Sequence, residues 1–360
     1  MIPNPLALIA EVTHRCPLHC VYCSNPLKLV SRKAELSSGE WARVFGEAAQ
    51  LGVLHLHLTG GEPAARIDLE SLILAGHQAG LYTNLITSGV GISAARLSRL
   101  VEAGLDHIQL SFQDSQNRLA NWIAGAKAHA HKISLARAIR ALPVAFTVNL
   151  VVHRQNLDHI DEMIEFTKQL EPQRVEVAHA QYYGWALKNR DALLPTGDQL
   201  EKCLRAVEKA RQSLAGKMRI DSVVPDYYAR YPKACMGGWG QRILLIDPSG
   251  GALPCHAAGV IPGLHFDNVR EHPLGWIWTS SDAFQKFRGE GWMSGTCKNC
   301  ERRFTDFGGC RCQAFLVTGN ASATDPVCSL SPDHDLIKIA QSQAGREGER
   351  LSLHYRTQEP

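Results

Sequence analysis

Long hydrophobic runs are missing from this chain: no stretch of about eighteen residues escapes a charge, a glycine or a proline, so no membrane-spanning helix is expected. The opening "MIPNPLALIAEVTHR" has no basic leader, no extended apolar core and no small-residue cleavage site, which argues against a secretory signal and sets the expectation of a cytoplasmic protein. Charge of one sign is not in excess either. With 38 Lys+Arg against 35 Asp+Glu, neither nucleic acid nor a membrane surface is implied as a partner. Tryptophan and methionine, 7 and 5 residues, form no stripe to which a role could be given. What the 360 residues do hold is cysteine: three at the start (Cys16, Cys20, Cys23), Cys203 alone, and seven from residue 235 onward. In a reducing compartment, clustered thiols are more readily metal ligands than disulfides.

Up to about residue 215, apolar β-type runs alternate with helical patterns, which predicts a parallel α/β architecture. The runs are "LALIAEV", "VLHLHLT", "YTNLITS", "DHIQLSF", "AFTVNLVVH" and "RVEVAHAQ". Ser37 with Glu40 makes a capping box that opens the helix "GEWARVFGEAAQL", and Gly52 stops it. The helices "LESLILAGHQA", "AARLSRLVEA", "KISLARAIRAL" and "HIDEMIEFTKQL" end at Gly80, at Gly104, before Pro143 and near Pro172. Six β/α units predict an open partial barrel, although a flat doubly wound sheet gives the same string. In either fold the chemistry collects at the C-terminal ends of the strands, where "THRCPLHCVYC" and "TGGEP" follow the first and second strands.

Cys16, Cys20 and Cys23, spaced C-x3-C-x2-C, fall short of a structural zinc site, which takes four ligands and usually pairs two C-x-x-C knuckles. Before the later group that starts at Cys235, only Cys203 offers a fourth thiol, remote in sequence, although His14 or His19 could complete zinc. Three thiolates on a four-iron cluster leave one iron open to a ligand. In the loop after a first barrel strand, this motif resembles that of the radical S-adenosylmethionine (SAM) enzymes, and Tyr22 matches the aromatic residue before the last cysteine. The resemblance implies a SAM-binding 4Fe–4S cluster, its open iron chelated by the amino and carboxylate groups of SAM. It also implies a 5′-deoxyadenosyl radical that removes hydrogen from an unactivated carbon.

Gly60, Gly61, Glu62 and Pro63 resemble the motif that receives the SAM ammonium group. Glycines let a backbone approach a ligand, and Glu62 can offset the ammonium charge, although alone such a turn is usually just a loop. Ser111 and Asn149 occupy late strands that supply ribose and carboxylate contacts in relatives, where a polar residue is also often a satisfied turn former. His55 and His57 alternate with leucine and are expected to pack in the barrel rather than to bind metal.

Beyond residue 215 the composition shifts to Gly, Pro and Cys in short segments. This predicts a first domain over residues 1–215, a second over 216–340, and a polar, frayed tail over 341–360 with no assigned role. The later cysteines come as Cys235; Cys255 in "DPSGGALPC"; Cys297, Cys300, Cys310 and Cys312 in "CKNCERRFTDFGGCRC"; then Cys328. The order resembles the SPASM extension of peptide-modifying radical SAM enzymes, which houses two auxiliary iron–sulfur clusters. Where that extension's C-x2-C-x5-C-x3-C has its third cysteine, this chain has Asp306. Carried over residue by residue, the resemblance gives Cys235, Cys255, Cys310 and Cys312 to one auxiliary cluster, of two or four irons. Cys297, Cys300, Asp306 and Cys328 go to the other, a 4Fe–4S cluster. Two zinc sites built from the same thiols are the plainer reading.

"VHRQNLDHI", "HAQYYGWALKNR", "VPDYYARYPKACMGGWG", "LPCHAAG" and "DFGGCRCQAF" narrow the resemblance to the radical enzymes of pyrroloquinoline quinone (PQQ) biosynthesis, where an aspartate in that register is expected. This implies a ribosomal precursor peptide (PqqA), a small peptide chaperone (PqqD) and an external electron donor such as a flavodoxin or ferredoxin. The implied product is a carbon–carbon crosslink between a glutamate and a tyrosine of the peptide, begun at the glutamate γ-carbon. An auxiliary cluster could accept the electron released as the ring regains aromaticity. Another SPASM maturase, thioether-forming or sulfatase-maturing, would share every cysteine. A non-enzymatic zinc or iron–sulfur scaffold is the reading of a different class.

Overall fold

The computed structural model describes residues 2–293, 295–344 and 353–357. Strands and helices alternate: β1 (Ala7–Thr13), α1 (Ser38–Gln50), β2 (His55–Gly60), α2 (Leu69–Gln78), β3 (Tyr82–Thr87), α3 (Ala94–Glu102), β4 (His107–Phe112). Then come α4 (Asn117–Ala124), α5 (His129–Arg140), β5 (Ala145–Val152), α6 (Ile160–Leu170), β6 (Arg174–His179), α7 (Gly184–Lys188), α8 (Arg190–Leu193), α9 (Gly197–Ser213) and β7 (Arg219–Val223). The Cys-rich part adds β8 (Ile243–Ile246), β9 (Ala252–Leu253), α10 (Leu274–Ser280), α11 (Asp282–Gln285), α12 (Gly295–Lys298), α13 (Arg303–Asp306), α14 (Arg311–Thr318) and α15 (His334–Gln343). The capping box of α1 forms as predicted: Glu40 N–H donates to Ser37 Oγ at 3.3 Å and Ser37 N–H to Glu40 Oε2 at 2.7 Å. Helix α5 starts three residues before its predicted "KIS", and α4 precedes it where none was predicted.

The strand order β7-β6-β5-β4-β3-β2-β1-β8-β9 decides between the two architectures. From β1 to β7 each strand pairs parallel with the one before it. Right-handed crossovers repeated in one direction put every helix on the same face, whereas a doubly wound sheet reverses at a switch point. The sheet is therefore a one-sided partial barrel. It also continues past residue 215, where the sequence reading ended the barrel. β7 extends one edge, and β8 pairs parallel with β1 at the other, Ala7 opposite Ile243. The reason for the miss is physical: "ILLI" of β8 is buried on both faces and carries no alternation to reveal it.

The two faces differ in chemistry. Leu8, Leu56, Leu85, Leu110, Val148 and Val177 point outward and pack, fully buried, with Trp41, Phe45, Leu72 and Ile73 of the helices. Each such side chain contributes about 1.5–3 kcal/mol of transfer free energy, which fixes strand register. The inner face is polar: His107 Nε2 meets Thr147 Oγ1 at 2.8 Å, and Gln109 Nε2 donates to Glu176 Oε2 at 3.2 Å. His57 accepts from Asn84 Nδ2 at 3.0 Å inside this face, but His55, expected to pack, is exposed at the N-terminal mouth of the barrel.

His153, after β5, is wholly buried, and burial holds its imidazole down to about 3. Its Nδ1 accepts from Gln155 N–H at 3.2 Å. Below the ordinary value of 6.5 the unfolded chain binds a proton that the folded chain refuses, so stability is lost as pH falls from 6.5 toward 3. The expected slope is about 1.4 kcal/mol per pH unit for this one group. Melting curves at successive pH values should show a shallower acid slope in His153→Asn than in wild type; equal slopes would contradict the assignment.

Candidate active site

At its C-terminal end β1 hands over to the loop carrying Cys16, Cys20 and Cys23, and β2 ends beside it at Gly60. Backbone hydrogen bonds join the two: Gly61 N–H donates to Thr13 O at 2.6 Å and Glu62 N–H to Arg15 O at 2.8 Å. The approach is so close that a Cβ on Gly60, whose φ is +136°, would lie 2.2 Å from Thr13 O, and one on Gly61 2.4 Å from Arg15 O. The cysteine loop's own backbone, not only a ligand, therefore requires both glycines.

A cavity of about 430 Å³ opens at these strand ends, the size of a cofactor site. Cys16, Cys20, Cys23, Tyr22, Gly60, Gly61 and Ser111 all line it. Three expected contacts do not. Glu62 is fully buried, and its carboxylate accepts from Thr87 Oγ1 at 2.6 Å, Ala64 N–H at 3.0 Å, Ser88 N–H at 2.7 Å and Ser88 Oγ. It braces the ends of β2 and β3. Pro63 opens the short turn Pro63–Ala65. Asn149 lies two residues below Val151, which does reach the cavity, and its Oδ1 is buried without a partner.

Burial pushes the Cys16 thiol up to about 12 and those of Cys20 and Cys23 to about 11, with neighbouring thiols of the same loop adding to the rise. Such thiols ionise only against a cation, as metal binding with proton release provides. Zinc completion by histidine is not set up. His14 Nδ1 accepts from Val30 N–H at 2.9 Å and its Nε2 meets Glu11 Oε2 at 3.1 Å, while His19 Nδ1 donates to Arg356 O at 2.7 Å. Neither ring lines the cavity. Two residues unforeseen from the sequence support the loop: Gln113 donates to the Tyr22 hydroxyl at 2.7 Å and accepts from Lys132 Nζ at 2.7 Å. Lys132 is fully buried, and burial pushes its ammonium down to about 8. The available signal was a lysine in register with the apolar stripe Leu135, Ala136 and Ile139 of α5.

The later cysteines gather in two groups. Cys255 Sγ stands 3.7 Å from Cys312 Sγ, and Cys310 Sγ stands 3.2 Å from the Tyr183 hydroxyl. Hydrogen bonds from Cys235 hold the Cys255 and Cys310 thiols low, so Cys235 belongs to the same ring. Cys297, Cys300, Asp306 and Cys328 line a separate, small cavity. Asp306 is buried there and accepts from Gly308 N–H and Arg302 Nε, each at 3.2 Å. Among the described residues no three His, Cys, Asp or Glu side chains meet at the spacing of a single metal ion. The fit of iron–sulfur groups rests instead on soft thiols gathered in threes and fours about shared spaces. Cys203 stands apart, buried in α9 with its Sγ 3.9 Å from His179 Nε2.

The tail departs most from expectation. Residues 353–357, expected to fray, pack beside the cysteine loop: His354 N–H donates to Asn189 Oδ1 at 2.8 Å, and Asn189 Nδ2 donates to Val21 O at 2.7 Å. Arg356, 2% exposed, lines the cavity with the three cysteines.

Residues 10–167 match the radical SAM superfamily and residues 235–301 the SPASM iron–sulfur cluster-binding domain. The PqqA peptide cyclase of Methylocella silvestris is 52% identical over 355 residues, covering 98% of this chain and 95% of that protein. The chain belongs to the PqqA peptide cyclase family. It is a radical SAM enzyme with a SPASM domain. A second member of the family, from Gluconobacter oxydans, is 54% identical over 337 residues, 93% of this chain and 94% of that one. Crystal structures of Streptococcus suis SuiB, bound to SAM or to its precursor peptide SuiA, share the fold. Both give a TM-score of 0.75 at 19% identity, covering 91% of this chain and 77% of SuiB. Among the described residues no helix is long and apolar enough to cross a membrane.

Proposed function

We propose that this cyclase-family enzyme joins a glutamate and a tyrosine side chain of the precursor peptide PqqA by a carbon–carbon bond, in PQQ biosynthesis. The observation that carries the reading is 52% identity to a cyclase over nearly the whole chain, together with three half-buried thiols opening onto one cofactor-sized cavity. Cys16, Cys20 and Cys23 would hold a 4Fe–4S cluster, with Gly60, Gly61, Tyr22 and Ser111 walling the SAM space beside it. The chemistry such a cluster and SAM supply is hydrogen-atom removal from an unactivated carbon. The chain's own part is to hold and orient. Glu62 locks the β2–β3 ends, and the Lys132–Gln113–Tyr22 chain fixes the cysteine loop. PqqD would present the peptide, and a flavodoxin or ferredoxin would deliver electrons.

The test uses PqqA deuterated at the glutamate γ-carbon, with SAM, reductant and PqqD. Deuterium should enter 5′-deoxyadenosine and the peptide should lose two hydrogens. Unlabelled deoxyadenosine with uncrosslinked peptide would refute the substrate assignment.

The auxiliary groups follow the same reading: Cys235, Cys255, Cys310 and Cys312 would hold one cluster, and Cys297, Cys300, Asp306 and Cys328 the other. A carboxylate is a harder ligand than a thiolate, so Asp306→Cys should keep its cluster with a potential shifted on the order of 100 mV. Redox titration followed by spin resonance reads this directly. Unchanged potentials in both Asp306→Cys and Asp306→Ala would remove Asp306 from the ligand set.

A further inference from the structure

The guanidinium of Arg356 is buried with two of its donors unused. Its Nη2 donates to His14 O, and its plane stands 5.8 Å from the Trp185 ring, but Nε and Nη1 are buried without a partner. No carboxylate among the described residues pairs with it. Leaving two buried guanidinium donors unsatisfied costs several kcal/mol, so their position at a cavity wall calls for an acceptor that no side chain among the described residues supplies. The backbone around it is fixed. Arg356 N–H donates to His19 O at 3.2 Å, His19 Nδ1 returns a bond to Arg356 O at 2.7 Å, and the Tyr355 hydroxyl donates to Trp122 O at 3.0 Å. Gly125, at the end of α4, leaves room for that tyrosine: a Cβ there would lie 2.9 Å from the Tyr355 ring. The guanidinium is close enough that its charge opposes the burial of all three cysteine thiols.

We propose that Arg356, delivered by the C-terminal segment, is a SAM-binding residue whose free N–H groups hold the carboxylate of the methionine moiety. This rests on the SAM reading of the cavity. A guanidinium matches a carboxylate in plane and in donor spacing, and a carboxylate held beside the three cysteines is one already oriented toward their metal. Residue 356 thereby makes the far end of the chain part of the cofactor site, and the enzyme cannot present a complete SAM pocket until its C-terminal segment has docked on the cysteine loop.

The test compares full-length, anaerobically reconstituted wild type with Arg356→Gln and Arg356→Lys by equilibrium dialysis. Two probes are used: SAM, and 5′-methylthioadenosine, which lacks the amino-acid carboxylate. Arg356→Gln should bind SAM about tenfold or more weakly while binding methylthioadenosine within twofold of wild type, and Arg356→Lys should recover part of the loss. Iron content and the spin-resonance spectrum without SAM should match wild type, and the spectral change caused by SAM should need correspondingly more SAM. Binding of SAM within twofold of wild type would overturn the assignment. So would equal losses for both probes, which would make Arg356 a brace for the loop, or a loss confined to PqqA, which would make a peptide carboxylate its ligand. Absence of SAM binding by the wild type would instead bring down the SAM reading of the cavity, and this assignment with it.

Discussion

Replacing Cys16, Cys20 or Cys23 by alanine, one at a time, should reduce 5′-deoxyadenosine production to background while the auxiliary cluster signals persist. The three thiols share one cavity and no histidine of the loop stands ready to substitute. Removing one therefore leaves two ligands for a group that needs three. About four irons should be lost per chain, since the auxiliary thiols gather in separate places and depend on none of these residues. Iron analysis and product chromatography on each variant measure both outcomes. Deoxyadenosine formed at the wild-type rate by any of the three would contradict the assignment.

Gly60→Ala should be strongly damaging to the cysteine loop. The new Cβ would meet Thr13 O at 2.2 Å in a backbone of φ +136°, so steric overlap and an unfavourable conformation act together. A loss of about 3 kcal/mol or more is expected, with displacement of the cysteine loop and failure to retain its cluster. Gly39→Ala, in α1, is the control, because a Cβ there meets nothing within 4 Å. Thermal melting should separate the two by several degrees, with Gly39→Ala close to wild type. Equal melting would mean that the β2 end can move away from Thr13.

These expectations draw on features that were legible in the sequence to different degrees, for reasons of range. The β1–β6 runs and the Ser37–Glu40 cap were readable because period-2 burial and capping are settled within a few residues. Cys297, Cys300, Asp306 and Cys328 were readable as a set through resemblance alone, and the structure places all four around one cavity. The intrachain partners of Glu62 were not legible, because nothing near it in sequence announces Thr87 and Ser88, which arrive from the end of β3. Asn149 sits in register with Ser111 and Glu176, which line the cavity, without lining it itself, a distinction that strand alternation does not carry. β8 was invisible since a four-residue run buried on both sides has no period. Arg356 was the hardest to foresee. Its segment is polar and without pattern, and it is ordered by partners such as His14, His19 and Asn189, distant in sequence.

The claim on which everything else depends is that the three N-terminal thiols hold an iron–sulfur cluster that binds SAM. Iron and sulfide analysis with low-temperature spin resonance on anaerobically prepared, reduced protein tests it most directly. Iron and sulfide should both be present, and adding SAM should change the spectrum of one cluster, a change lost in Cys16→Ala, Cys20→Ala and Cys23→Ala. Zinc in place of iron, or a spectrum indifferent to SAM, would contradict the account.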